Sequence, residues 1–485
     1  MSNKVTTRFA PSPTGFMHIG NLRTALYSYL LSKSQGGNFI LRIEDTDQER
    51  LVEGAVDVIL DTLKSTGIEY DEGPAKDGGH GPYIQSERLP IYKEYAEKLI
   101  ADGHAYYCFC SKERLDSLKD ENGIGGYDGF CRDKNYTAED AARHKAEGGN
   151  VVIRQKMPTE GKTAYVDVVY GEVEIDNTEL RDQILIKDDG YPTYNFCHIV
   201  DDYLMGVTHV VRGNEYLTST PKYCLLYDAF GWDRPTYVHL PLLMGKDDEG
   251  KVSKLSKRHG AVSFHDLVND GYLPEAIVNY IALLGWCPKD TNEEFFTMDE
   301  LKANFSIEGL SKSPAVFDYE KLKWFNSEYI KKLPEDVYAE KVLPILDGIC
   351  ESYINTKKLA ALLHTRISYF NEIKDMIGFV TSRLPMDGDL YTNKKNKTNP
   401  ENCKEVLVDC LPILEAVENW DNDTLFAVLK EYAASKEKKA GAVMWAIRVA
   451  VGRQAITPGG ATELMEVFGK EESIGRIKQA IEELN

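Results

Sequence analysis

The chain has 485 residues, too many for one compact core, and its length predicts about three domains. At 42% hydrophobic and 28% charged residues it has the make-up of a soluble globular protein; no apolar run reaches the ~20 residues that span a bilayer, and the opening stretch Met1 to Arg8 lacks the apolar centre of a signal peptide. The formal charge of −20 speaks against a nonspecific nucleic-acid binder, which is basic overall, but leaves room for local basic surfaces that meet RNA.

In chain order, Val5 to Ala10 reads as a short strand, and Pro11-Ser-Pro-Thr-Gly15 is turn chemistry. Leu22, Ala25, Leu26, Tyr29 and Leu30 then follow helical spacing. Gly36-Gly37 ends that helix, Phe39-Ile-Leu-Arg-Ile43 predicts a second strand, and Val56, Ile59, Leu60 and Leu63 predict a second helix closed by Gly67. Strands alternating with helices predict an α/β fold with a doubly wound, Rossmann-like parallel sheet. From about Tyr83 to Asp189 the texture changes to Gly, Asp and Lys with strand-like runs such as Ala164 to Val169, which reads as an inserted α+β domain. The sheet pattern resumes near Gly190 with Tyr191 to Tyr194, His209 to Arg212 and Thr236 to Leu240. Beyond Trp324, segments 357–383, 402–418, 422–435, 440–453 and 461–483 all read as helices, predicting an all-α C-terminal bundle. The expected division is therefore 1–85 and 190–250 for the sheet domain, 86–189 for the insertion, 251–323 for a connecting region and 324–485 for the helical domain.

Two motifs carry chemistry. Pro11-Ser-Pro-Thr-Gly-Phe-Met-His18-Ile-Gly20-Asn21 lies between a strand and a helix, where helix N–H groups bind phosphate in doubly wound folds. Gly20 has no Cβ and lets a nucleotide approach, and His18 can donate to phosphate oxygens. Alone, so short a match reads better as a capped helix start with a buried histidine. Lys251-Val-Ser-Lys254-Leu-Ser-Lys257-Arg258-His-Gly260 is dense in positive charge, follows Asp247, Asp248 and Glu249, and can swing over a triphosphate, its lysines offsetting charge on the α-phosphate and the departing pyrophosphate. Alone it reads better as a solvated basic loop.

Together, His-Ile-Gly-Asn and Lys-Leu-Ser-Lys-Arg resemble the paired signatures of class I aminoacyl-tRNA synthetases. Arg8-Phe-Ala-Pro-Ser-Pro-Thr-Gly15, Arg42-Ile-Glu-Asp-Thr-Asp47, Tyr83-Ile-Gln-Ser-Glu-Arg88, Gly190-Tyr-Pro-Thr-Tyr194 and the stretch Asp201 to Arg212 are similar to the glutamyl-tRNA synthetase family, of the bacterial type with a helical C-terminus. One departure is Asn21, where the first signature ends in histidine. The resemblance implies ATP-dependent activation of L-glutamate to glutamyl-adenylate and transfer to the terminal adenosine of tRNA(Glu). It implies Mg2+ with the ATP, catalytic roles for His18, Gly20, Lys254 and Lys257, and ATP contacts from His18, Gly20, Glu215, Tyr216 and Lys257. The insertion would bind the acceptor end, the 251–323 region would touch the tRNA stem, and 324–485 would bind the anticodon.

A glutamate pocket must hold an ammonium and two carboxylates. Arg8 and Arg212 each fall near the end of a predicted strand, and such ends form one rim of a parallel sheet. Arginine grips carboxylate in a bidentate fork, and the neutral amide of glutamine would leave a buried cation uncompensated. Glu44 can hold the ammonium, with Ser12 and Tyr194 adding hydrogen bonds, and the resemblance implies the same five residues. For any single arginine a surface ion pair is the commoner fate, and the joint placement is what favours the pocket.

Nine cysteines, an odd number spread along the chain, argue against a disulfide framework and for a reducing, cytoplasmic setting. Cys108, Cys110 and Cys131 are spaced as three thiolate ligands of a structural zinc ion. Relatives place a histidine where Asp133 stands or use a tyrosine placed like Tyr127, so both remain candidates for the fourth ligand, beside the alternative of ordinary reduced thiols. In the helical region Lys394-Lys395-Asn-Lys397 and Lys436-Glu-Lys438-Lys439 are basic clusters, Arg448 and Trp445 sit in a helical pattern, and Arg366 falls near a family position that inspects the third anticodon base. Smaller nucleotidyltransferases, and paralogues that glutamylate a modified base, lack a helical region of this size. Relatives are usually monomers. Some also glutamylate tRNA(Gln) for a downstream amidotransferase, and the sequence leaves both options open.

Overall fold

The structure is a computed structural model that describes residues 4–119, 126–247, 249–260, 262–289, 291–382, 384–385 and 387–484, with the backbone alone at Lys257. The chain forms two compact units, one of Met1–Leu267 with Ile277–Asp318, the other of Val268–Ala276 with Tyr319–Asn485.

In the first unit β1 (Thr6–Phe9) and β2 (Asn38–Leu41) pair in parallel, Arg8 opposite Ile40, with the helix Ile19–Ser34 as the crossover. Both strands are buried almost without alternation, as strands covered on two faces must be. The inserted stretch supplies β3 (Ala105–Cys108), β4 (Val152–Gln155), a hairpin of β5 (Lys162–Asp167) and β6 (Gly171–Asp176), and β7 (Ile184–Ile186). β3, β4 and β7 make a small antiparallel sheet.

β8 (His209–Gly213) and β9 (Thr236–Leu240) then pair in parallel, Arg212 opposite His239. The sheet order is β6-β5-β9-β8, and β1 continues it through a bond of 2.9 Å from the Thr208 N–H to the Thr6 carbonyl. The division at 189 expected from sequence therefore does not bound the sheet: β5 and β6, inside the stretch read as the insertion, extend it. The cause is at the end of β5, where Val168 N–H bonds the Tyr237 carbonyl at 3.0 Å and the Asp167 carboxylate caps the strand. A third sheet, β11-β10-β12, comprises β10 (Leu243–Lys246), β11 (Val252–Lys254) and β12 (Ala315–Phe317) and carries the basic loop.

The second unit is helical, and its core is built from Leu359, Leu363, Leu407, Cys410, Leu429, Ile447, Leu464 and Ile477 among others. Pro400–Glu415, Asn422–Ser435 and Ala440–Gly452 fall where the periodicity puts helices. The stretch read as one helix over 357–383 is instead Thr356–Leu363 followed by the short Glu372–Met376 and Gly378–Thr381. The Ser368 N–H is taken by the Glu372 carboxylate at 2.6 Å, a local cap that competes with the helical ladder. The last helix, Ala461–Glu483, kinks at Gly469, whose φ of 75° lies in the left-handed region. Among the described residues no helix is long and apolar enough to cross a membrane.

Candidate functional site

A cleft of about 680 Å³ opens at the carboxyl ends of β1 and β8. Its walls include Arg8, Ser12, His18, Gly20, Glu44, Tyr194, Arg212, Glu215, Tyr216 and Lys254. The strands bring these together because ligands of open parallel sheets bind beyond the carboxyl ends, where loops and helix N-termini converge.

The floor is a buried ionic network. Arg8 Nε donates to both oxygens of Asp202 at 3.1 and 3.2 Å, and Arg42 Nη1 donates to Asp202 Oδ1 at 2.8 Å. Arg42 Nη2 donates to Glu44 Oε1 at 3.0 Å, and Arg88 Nε donates to Asp201 Oδ1 at 2.7 Å. Burial pushes the Asp202 carboxyl up, but Arg8 and Arg42 outweigh it and hold it at about 2. Burial wins at Glu44, which stays above its ordinary value although Arg42 and Arg8 pull it down.

Arg212 differs from these arginines in having no carboxylate partner among the described residues. Its Nε donates to His239 Nε2 at 3.1 Å and its Nη2 to the Thr220 hydroxyl at 2.7 Å, while Nη1 is buried without a hydrogen-bond partner. The faces of Tyr216 and Tyr223 each lie 5.0 Å from the guanidinium carbon. An uncompensated buried cation beside a cleft is a place where an anionic group is strongly favoured over a neutral one. Tyr194 opens the helix Tyr194–Leu204 and stacks on His198, which burial, aided by Arg212, lowers to about 3 and keeps neutral.

On the opposite side His18 caps the helix Ile19–Ser34, its Nδ1 accepting from the Gly20 N–H at 3.0 Å. One ring nitrogen alone is left to donate, and it faces the Leu255 carbonyl. A Cβ on Gly20 would come 3.3 Å from His18 Nδ1, so glycine here also protects the cap. Burial and the Lys254 ammonium lower the His18 pKa, which favours the neutral ring. The first signature is bonded to the segment that follows the second, since Ile19 N–H bonds the Val262 carbonyl at 2.9 Å and Phe264 N–H bonds the Met17 carbonyl at 3.1 Å. Lys254 ends β11 on the cleft rim. The Lys257 side chain lies outside the described residues.

The family models match along the whole chain: tRNA synthetases class I (E and Q), catalytic domain, over residues 4–324, and an anticodon binding domain over residues 320–481. A glutamate–tRNA ligase of Clostridium novyi is 53% identical over 488 residues, covering 100% of this chain and 99% of the relative, and one of Clostridium botulinum is 54% identical over the same span. The crystal structure of a glutamate tRNA ligase from Elizabethkingia meningosepticum, in complex with its amino acid, superposes with a TM-score of 0.87 at 34% identity, covering 100% of both chains. The chain belongs to the glutamate–tRNA ligase family of class I tRNA synthetases.

In this member of the glutamate–tRNA ligase family, the sequence motifs did not disclose the partners that hold the cleft residues. Asp201 and Asp202 stood inside a quoted motif without a role, and His239 stood in a strand. His259, within the basic loop, takes the Ser256 N–H on Nδ1 and meets the Ser253 hydroxyl through Nε2, both at 3.1 Å, so it sets the loop's shape. Cys108, Cys110 and Cys131 are buried with their sulfurs within 4.8 Å of one another, Cys110 and Cys131 at 3.6 Å. Zinc–sulfur bonds of about 2.3 Å in a tetrahedron require sulfurs about 3.8 Å apart, so the three thiols fit that ion. Tyr127 sits beside them, its hydroxyl accepting from the Cys131 N–H at 2.7 Å. Asp133 does not: its side chain is 84% exposed and pairs with Lys156. Burial and Cys108 push the Cys110 thiol up to about 12, the response expected of crowded thiols that share one site. Arg366, in the second unit, is exposed just past the helix Thr356–Leu363. Trp445 is half-buried, donating to the Leu390 carbonyl at 3.0 Å, and with Arg448 and the exposed Phe426 it lines a second cavity of about 380 Å³ in that unit.

Proposed function

We propose that this chain activates L-glutamate with ATP and transfers it to the terminal adenosine of tRNA(Glu), releasing pyrophosphate and then AMP. The observation that carries the reading is the buried Arg212 with one free donor, Nη1, in a cleft it shares with Arg8 and Glu44. Arg212 takes the side-chain carboxylate, Arg8 supports binding through its charge, and Glu44, Ser12 and Tyr194 hold the ammonium and α-carboxylate end. Glutamine at that place would leave the Arg212 charge uncompensated.

In the first step the glutamate α-carboxylate oxygen forms a bond to the α-phosphorus, and the bond to the pyrophosphate oxygen breaks. His18, Gly20 and the helix start they cap seat the phosphates, Lys254 and Lys257 offset the charge that develops, and Glu215 with Tyr216 flanks the adenosine. Mg2+ that arrives with ATP supplies further neutralisation of phosphate charge. In the second step a ribose hydroxyl of the tRNA attacks the activated carbonyl and AMP leaves. No protein nucleophile is required, so catalysis rests on positioning and charge. A zinc ion held by Cys108, Cys110 and Cys131, with Tyr127 better placed than Asp133 as a fourth partner, would tie the strands of the insertion together without entering the reaction. The helical unit, through Arg366 and the Trp445–Arg448 cavity, reads the anticodon, and we take the enzyme to act as a cytoplasmic monomer.

The test is charging of purified tRNA(Glu) and tRNA(Gln) with labelled glutamate, labelled glutamine serving as control. Glutamate on tRNA(Glu) alone is expected. Glutamate on both tRNAs keeps the chemistry and implies a downstream amidotransferase. Glutamate on neither, with active tRNA and Mg-ATP present, overturns the assignment.

A further inference from the structure

Arg212 owes its orientation to residues outside the cleft. β9 places His239 opposite Arg212, and β5 brings Asp167 beneath it. His239 Nδ1 meets Asp167 Oδ2 at 2.7 Å, and both side chains are fully buried. Asp167 is surrounded by donors: Oδ2 also accepts the His239 backbone N–H at 3.1 Å, and Oδ1 accepts those of Val169 and Tyr170 at 3.0 and 2.8 Å. A carboxylate so placed requires the proton of His239 to sit on Nδ1. The Nε2 lone pair is then free to accept from Arg212 Nε. On the next edge the Thr220 hydroxyl gives its proton to the Tyr216 carbonyl at 2.7 Å and keeps a lone pair for Arg212 Nη2. Two acceptors thus fix the fork from behind, and among the described residues Nη1 is left without a hydrogen-bond partner.

We propose that His239, held in its Nδ1–H tautomer by Asp167, is a positioning residue for glutamate specificity, turning the free edge of Arg212 toward the substrate carboxylate. This rests on the reading of Arg212 given above. Burial, reinforced by Arg212 itself, lowers the His239 pKa despite Asp167, which keeps the ring neutral and able to accept. A protonated ring would point an N–H at the guanidinium N–H and push the fork out of register.

The chemistry separates this from a packing role. Asp167→Asn keeps size but must turn its amide N–H2 toward donors. Turned toward Val169 and Tyr170 the amide would face two fixed backbone N–H groups, whereas turned toward His239 it meets one backbone N–H and an imidazole that can move its proton, so the amide faces His239 and drives its proton to Nε2. His239→Gln keeps an acceptor at the distance of Nε2, and His239→Leu keeps bulk and loses it. Steady-state ATP–pyrophosphate exchange with tRNA present, on the full chain, gives KM for glutamate and for ATP separately. Expected is a rise of at least about tenfold in glutamate KM for His239→Leu and Asp167→Asn, with ATP KM within about twofold and recovery to within about threefold of wild type in His239→Gln. If the leucine variant does not fold, Asp167→Asn against His239→Gln makes the same comparison. Glutamate KM within about twofold of wild type in Asp167→Asn, or equal losses for both substrates, overturns the proposal. Arg212→Ala is measured alongside. A glutamate KM unchanged in that variant would sink the Arg212 reading itself, whereas a large rise there with none in Asp167→Asn sinks only the role of His239.

Discussion

Replacing Asp202 with asparagine removes one negative charge from under the cleft while preserving shape. The residue is fully buried and receives three donor contacts, two from Arg8 Nε and one from Arg42 Nη1. Its carboxyl is held at about 2, against an ordinary 3.8, mainly by Arg8 and Arg42 acting against burial. A depression of that size corresponds to roughly 2–3 kcal/mol of stability, fully present above the unfolded-state pKa and lost as pH falls through the folded one. Asparagine adds an N–H that must face a guanidinium, so the whole cost is expected nearer the roughly 3–5 kcal/mol of a broken buried pair. Unfolding in urea, followed by tryptophan fluorescence, measures it. The gap between wild type and variant should be full at pH 7 and narrow by about 1 kcal/mol on going to pH 3, because only the wild type loses a charge-dependent contribution over that window. A variant within about 1 kcal/mol of wild type at pH 7, or a gap that widens as pH falls, would refute the account.

Gly245→Ala would place a Cβ 2.6 Å from His259 Cγ, displacing the ring that orders Ser253 and Ser256. Overpacking of this kind costs about 1–3 kcal/mol, and kcat/KM for ATP should fall roughly 5- to 150-fold with glutamate KM little changed, as read by pyrophosphate exchange. The purified protein should carry about one zinc per chain by elemental analysis, and Cys131→Ser should lower both zinc content and thermal stability with less effect on pyrophosphate exchange. Metal-free protein with full stability would remove the site. Arg366→Ala should raise the KM for tRNA roughly 5- to 150-fold in charging assays while the KM values for ATP and glutamate hold, and equal tRNA KM values in wild type and variant would take Arg366 out of the anticodon reading.

The cleft was legible in the sequence to the extent that its residues lie at strand ends and helix starts. Turn chemistry and periodicity locate those places, and ten of the named residues do line one cavity. The partners were hidden because they are distant along the chain and their residue types have many ordinary uses. Arg8 and Asp202 are separated by 194 positions, and His239 and Asp167 by 72. Nothing local marks an aspartate within a helix or a histidine within a strand as the member of such a pair. Strand pairing was missed for a related reason. The alternating exposed and buried residues of β5 say that one of its faces is covered, but not which sheet it joins. The break after Leu363 escaped periodicity because Ile367, Phe370, Ile373 and Ile377 remain buried at helix-like spacing even though the backbone between them is not continuous helix.

Asp201 and Asp202 are neighbours on one helix and share Arg42, yet their other partners differ. Asp202 also holds Arg8 of the cleft, while Asp201, 3.5 Å from Arg42 Nε, collects Arg88 Nε, Gln85 Nε2 and the Tyr92 hydroxyl at the doorway where the chain leaves the sheet for the insertion. The doorway is therefore riveted to the same two-residue post as the substrate floor. Whatever sequence the insertion carries farther out, a graft or deletion that cuts before Tyr92 pulls a rivet from the floor, and one that cuts beyond it leaves the post intact. The boundary that matters for exchanging this module is set by that post, some residues past the point where the sheet pattern stops.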